Sequence, residues 1–218
     1  LKPIKVGITA GPQAGILDIV KANALREGLR VQVVEFTDFI QPNAALAGGD
    51  IDANSFQHAP YLEQQIKDRG YKFTAIAQTL VAPIGVYSKK VKSLAQFPEG
   101  GRFGLPNDPT NGARALLLLQ KQGVIKLRAA AGSAAGVLDV QDNPRKVRFI
   151  ELAAAQLARS LEDLDAAAIN TNFAIPAGLK ATDAIAMEDQ EAYSRYANLI
   201  VVIGLNSPSL RRPTDRPR

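Results

Sequence analysis

"IKVGITAGPQAGILDIVKANALREGLRVQVVEF", residues 4–36, reads as strand, helix, strand. Ile4 to Gly11 is a short apolar run rich in β-branched residues. It ends in glycine, the pattern of a buried strand feeding a tight turn. Ile16, Leu17, Ile19, Val20 and Leu25 then recur at helical spacing and stop near Gly28. "RVQVVEF" is a second strand. A β-α-β start implies a parallel sheet with helices on its faces.

The alternation continues outward from that start. "PNAALAGG" reads as a short helix with proline in its first turn and glycine past its end. "DIDANSF" reads as a strand and "APYLEQQIKDRG" as a helix closed by Gly70. "KFTAIAQTLVAPIGVYS" is an apolar run broken by Pro83, and "GGRFGLPNDP" is a strand running into a loop. "TNGARALLLLQKQG" predicts a helix capped by Thr110 or Asn111. The alanine-rich "AAAGSAAG" and "LAAAQLA" predict further helix. "LDAAAINTNFAIPAG" is a strand ending in a polar cluster and a helical turn, and "YANLIVVI" is a last strand. Six to eight strands alternate with helices, with no fixed-period repeat, which argues α/β. Breaks at "VAPIGVYSKK" and after "INTNFAIPAG" divide the chain into two lobes, and clefts between lobes are where small molecules bind.

Bulk composition removes several function classes. The 218 residues suffice for a large core. There is no cysteine and one histidine, so disulfides, iron–sulfur clusters, thiolate zinc sites and histidine-rich metal sites are excluded. The net charge is +5, but the tail "SPSLRRPTDRPR" sets four arginines against one aspartate and supplies +3 of it. The body is near neutral and lacks the phosphate-neutralising face that nucleic acid requires. No window approaches the roughly 18 apolar residues of a membrane span. Residue 1 is Leu, which reads as a processed or trimmed chain whose anchor has been removed.

Motifs for chemistry are sparse. "TAGPQAG" is not a dinucleotide fingerprint, and "GGRFGLPNDPTNGAR" lacks the GK[ST] of a phosphate loop. Ser55 lies three residues before His58, but no acid is placed to orient the ring. Asp50 and Asp52, two apart, read as a solvated strand edge. A binding pocket fits better. An arginine fork suits a carboxylate, and asparagine serves donors and acceptors alike. Arg114 stands just inside the helix after "PNDPTN", and Asn170 and Asn198 stand at strand ends. Aromatics in "FTDFIQPN" and "NSFQHAPY" supply an apolar wall. From the residues alone, Arg114 as a surface helix residue, the asparagines as turn caps and His58 as a core residue all stay open.

The strings "NAALAGGDIDANSFQHAPYLEQQIKDRGYK", "PIGVYSKKVKSL", "LPNDPTNGARALLLLQKQGVIKL" and "AAAINTNFA" resemble the methionine-binding lipoprotein (MetQ or NlpA) family, from about residue 4 to about residue 202. The resemblance implies a two-lobed periplasmic-binding-protein fold, type II-like, each lobe a mixed sheet flanked by helices, with two crossover strands as hinge. One lobe would comprise residues 1–82 and 174–218, the other 83–173. It implies capture of methionine in the inter-lobe cleft, L-methionine first, and delivery to the permease and ATPase of an ABC importer. It further implies a monomer tethered by a lipidated cysteine upstream of Leu1, without cofactor, metal or catalysis. A methionine dipeptide, another amino acid, or an adhesive surface lipoprotein are the alternatives. By the same resemblance Arg114 would pair with the ligand carboxylate, and Asn170 and Asn198 would hold its α-amino and carboxylate groups. Phe56, His58 and Tyr61 would wall the thioether, with Phe39 standing where relatives carry tyrosine. The tail "IGLNSPSLRRPTDRPR" departs from the family, which continues into a final helix.

Overall fold

The computed structural model describes residues 2–204. Among these the chain runs β1 (Ile4–Thr9), α1 (Pro12–Arg26), β2 (Val31–Phe36), α2 (Gln41–Gly48), β3 (Ala53–His58), α3 (Ala59–Arg69) and β4 (Phe73–Val81). It continues through β5 (Ile84–Tyr87), β6 (Arg102–Pro106), α4 (Pro109–Lys121), β7 (Lys126–Leu127), β8 (Val140–Asp142) and β9 (Arg148–Leu152). Then come α5 (Ala154–Leu157), β10 (Ala166–Asn170), α6 (Thr171–Ala174), β11 (Ala186–Met187), α7 (Gln190–Arg195) and β12 (Ala197–Ile203). The departing tail lies outside the described residues from 205 onward.

The chain divides into two compact units, the first built from residues up to Leu80 and from Ala197 onward, the second from Val81–Tyr196. The return expected after residue 173 therefore comes at Ala197. The reason is β11, which pairs antiparallel with β5 and keeps residues 174–196 in the second unit. The outward crossing, expected after residue 82, comes between Leu80 and Val81, two residues before Pro83 interrupts the apolar run. Proline has no N–H to donate to a ladder and separates β4 from β5.

In the first unit the sheet order is β2-β1-β3-β12-β4. β1 is parallel to both β2 and β3, as the β-α-β reading requires, while β12 returns antiparallel to β3. Leu46, Ile51, Leu62, Leu199 and Val201 form one core here. Helical spacing located α1 but not its packed face: Leu17 is buried, whereas Ile16, Ile19, Val20 and Leu25 are exposed. Asp50 and Asp52 precede β3 rather than lying on it, and Asp52 Oδ2 accepts the backbone N–H of Lys5 at 2.8 Å.

In the second unit the order is β11-β5-β10-β6-β9, again mixed, with a separate β7-β8 pair. α4 lays Leu116, Leu118 and Leu119 into a core with Phe97, Phe103 and Leu105. Its N-cap is Asp108, whose carboxylate accepts the Asn111 N–H, so neither Thr110 nor Asn111 caps it. The short side chain positions the helix start because an aspartate oxygen satisfies an otherwise orphaned first-turn donor. "AAAGSAAG" does not form an α-helix. It is a 3₁₀ segment interrupted at Gly132, whose φ of 52 is left-handed and non-helical.

Gly112 lets α4 approach the end of β6. A Cβ built there would stand 2.8 Å from the Pro106 carbonyl oxygen, which is backbone and cannot swing aside. Gly112→Ala would normally favour a helix by about 1 kcal/mol. Here it is expected to destabilise the protein, by about 1–3 kcal/mol as an overpacked contact does. Urea denaturation of the variant checks the sign.

Candidate functional site

Each unit carries one cluster of the residues singled out by sequence. In the first unit, β3 presents Phe56 and His58, which both stand against the Tyr61 ring, at centroid distances of 6.0 and 6.2 Å. Asn198 pairs with His58 across β3 and β12, and directly opposed residues share a face. Phe39, from the loop before α2, and Tyr61, from the first turn of α3, close around Phe56. Ring centroids are 6.0 Å (Phe39–Phe56), 6.1 Å (Phe39–Tyr61) and 6.0 Å (Phe56–Tyr61), with both Tyr61 contacts edge-on. The Tyr61 hydroxyl donates to the Phe39 carbonyl at 2.8 Å and fixes the loop. The loop is also held by Asp38 Oδ1, which accepts the N–H groups of Ile40 and Gln41.

His58 has a structural task in this cluster. It is the N-cap of α3, and its Nδ1 accepts the Tyr61 N–H at 3.2 Å. A nitrogen that accepts carries no proton, so the neutral ring in this arrangement is protonated at Nε2. β3 is braced by a buried amide network that sequence reasoning missed. Gln57 Nε2 donates to Asn43 Oδ1 and Asn54 Oδ1 at 2.8 and 2.9 Å, and Asn43 Nδ2 returns a bond to Gln57 Oε1 at 2.8 Å. It ties α2 to the strand that presents Phe56 and His58.

In the second unit, Arg114 is almost wholly enclosed, at 2% exposure. Its Nε and Nη2 fork onto Glu188 Oε1 and Oε2 at 2.9 and 2.6 Å. Nη2 also donates to the Ala82 carbonyl and Nη1 to Asn111 Oδ1, both at 3.1 Å. The guanidinium carbon lies 4.2 Å from the centroid of the Tyr196 ring, a cation–π contact. Asn111 Oδ1 also accepts Asn170 Nδ2 at 2.9 Å, so Arg114 and Asn170 meet on one oxygen. Glu188 Oε2 takes a further bond, from the Ile84 N–H at 2.7 Å.

Two side-chain atoms stand out. Asn170 Oδ1, an acceptor, and Asn198 Nδ2, a donor, are buried and have no hydrogen-bond partner among the described residues. Leaving such groups unpaired costs about 1–3 kcal/mol each, so they mark positions suited to a polar ligand. The second unit also has an open cavity of about 450 Å³ beside the arginine, lined by Leu117, Leu118, Lys121, Arg195 and Tyr196 among others.

Thus Phe39, Phe56, His58, Tyr61 and Asn198 come together in the first unit, and Arg114 and Asn170 in the second. Asn111, Glu188 and Tyr196 were missed. Asn111 was legible, three residues before Arg114 and so on the same helix face. Glu188 carries no local signal, being 74 residues away.

The profile of NlpA lipoproteins matches residues 4–209. The chain belongs to the NlpA lipoprotein family. Among the relatives of this NlpA-family chain, the D-methionine-binding lipoprotein MetQ of Escherichia coli (strain K12) is 50% identical over 202 residues, covering 91% of this chain and 74% of that one. The solved structure of a nutrient binding protein from Burkholderia cenocepacia bound to methionine matches with a TM-score of 0.89 at 54% identity, covering 95% of this chain and 88% of that one. An ABC transporter, periplasmic substrate-binding protein from Coxiella burnetii matches with a TM-score of 0.88 at 47% identity, over 95% and 88%.

Two tyrosines of this NlpA-family chain carry a pH dependence. Burial raises the Tyr87 hydroxyl above the ordinary 10.0, with Asp183 adding to it. Burial likewise raises Tyr196, against the pull of the Arg114 and Arg195 guanidiniums. Above pH 10 the unfolded state has lost protons that the folded state still binds, so stability falls as pH climbs. Alkaline denaturation is expected to begin there, and Tyr87→Phe and Tyr196→Phe should each flatten the slope. A slope unchanged in both variants would contradict this.

Proposed function

We propose that this chain is an extracytoplasmic substrate-binding lipoprotein that captures methionine and delivers it to an ABC importer, without catalysing a reaction. The single observation that carries the reading at residue level is the pair of buried, unpartnered amide atoms, Asn170 Oδ1 and Asn198 Nδ2. An acceptor suits the ligand ammonium and a donor suits its carboxylate. The remaining Nη1 N–H of Arg114, outside its bonds to the described residues, offers a charge-assisted bond to a ligand carboxylate. The ring cluster of the first unit suits a thioether, whose sulfur gains about 0.3–1.5 kcal/mol from each aromatic contact. A non-catalytic role is supported by His58, whose Nδ1 is committed to capping α3 rather than to Ser55.

The names carried by relatives point to the same ligand class, methionine, and to the same transport role. Delivery to a permease with its ATPase, a lipid anchor and a monomeric state belong to this proposal. Calorimetry on ligand-stripped protein tests it, with L-methionine first and D-methionine and a methionine dipeptide beside it. Saturable one-to-one binding is expected, and free methionine at 100 times Kd should stabilise the fold by about 2.7 kcal/mol. Tighter binding of an unrelated amino acid would remove the methionine reading. Absence of any amino-acid binding would favour a surface lipoprotein that keeps the fold.

A further inference from the structure

Arg114 does not present a bare charge. Its fork is filled by the Glu188 carboxylate, both groups are buried, and the pair is held from three sides by the Ala82 carbonyl, the Ile84 N–H and Asn111 Oδ1. These extra bonds make Glu188 a fixed part of the cluster. A ligand carboxylate reaching the remaining Nη1 N–H therefore meets an ion pair of zero net charge.

We infer that Glu188 is a specificity-determining residue: by compensating Arg114 internally, it makes the cluster accept net-neutral zwitterions and reject net-anionic analogues. This rests on the proposed amino-acid site. The physical reason is the cost of an uncompensated buried charge. A zwitterion brings its own ammonium and leaves the enclosed total at zero. An anion leaves one negative charge beside a pair already balanced, in surroundings where charge is poorly solvated. An arginine alone would favour the anion instead. The arginine thus acts as an oriented donor rather than as a counter-charge, and the acidic partner sets which total ligand charge fits.

The test uses two ligands of nearly equal shape, methionine and its α-hydroxy analogue, in which a hydroxyl replaces the ammonium and the net charge is −1. Calorimetry gives the ratio of their affinities within each protein. In the wild type, methionine is expected to bind about 100-fold tighter or more. In Glu188→Gln the arginine is uncompensated, and the ratio should shrink by about tenfold or more, a change of ~1.4 kcal/mol in relative binding. Glu188→Asp keeps the charge and should hold the ratio near that of the wild type, whatever happens to absolute affinity. An unchanged ratio in Glu188→Gln overturns the inference, as does a collapsed ratio in Glu188→Asp. Should Glu188→Gln fail to fold, the wild-type comparison decides, and binding of the analogue within about threefold of methionine overturns the inference. If the wild type binds no methionine at all, the proposed function fails and this inference falls with it.

Discussion

Arg114→Ala is expected to cost about 3–5 kcal/mol of folding stability, beyond any effect on ligand. The substitution leaves the Glu188 carboxylate enclosed, with the Ile84 N–H as its remaining hydrogen-bond donor among the described residues. Breaking one side of a buried pair is costly because the remaining ion has lost both water and partner. Removing both sides is different. Arg114→Met with Glu188→Leu should recover much of the loss, since a buried pair is often replaced by apolar groups at little net cost. Urea denaturation of Arg114→Met, Glu188→Leu and the double variant forms a cycle that measures the coupling. Additive losses would show that the pair is not coupled. Loss of methionine binding in Arg114→Ala is thus no proof by itself of direct contact, and binding must be read where the variant is still folded.

Phe56→Ala should cost a similar amount, about 3–5 kcal/mol, through lost transfer energy and the cavity left behind. Phe56 is 3% exposed and stands 6.0 Å from both the Phe39 and Tyr61 rings, so its removal opens the centre of the cluster. Tyr61 and Phe39 are linked to one another by the 2.8 Å hydroxyl bond, which limits how far they can collapse into the space. Phe39 is only half-buried, and Phe39→Ala should cost clearly less. Chemical denaturation of both variants gives the comparison. If the rings wall a thioether, Phe39→Ala should nonetheless weaken methionine binding markedly. Retention of full affinity there would confine the rings to a packing role.

How much was readable in advance depends on the range of the interaction. The opening strand, helix and strand follow from periodicity and glycine, which act within a few residues, and β1, α1 and β2 lie where that pattern places them. The aromatic group was legible because Phe56, His58 and Tyr61 stand close together in the chain, across the junction of β3 and α3. Local pattern failed for α1's exposed apolar residues, because a helix's spacing does not say what packs against it.

Residues 4–36 by themselves determined the class of fold, since a buried strand, a crossover helix and a second strand allow few alternatives. Tertiary structure alone decided three other things. It placed Asn198 opposite His58 through the return of β12, it kept residues 174–196 in the second unit through the two-residue strand β11, and it seated Glu188 on Arg114. Each depends on sheet pairing or burial between segments far apart in the chain. Local spacing cannot encode which distant carboxylate will share a buried site with an arginine. The partner is selected by the free-energy cost of leaving either charge alone once the surrounding strands exclude water.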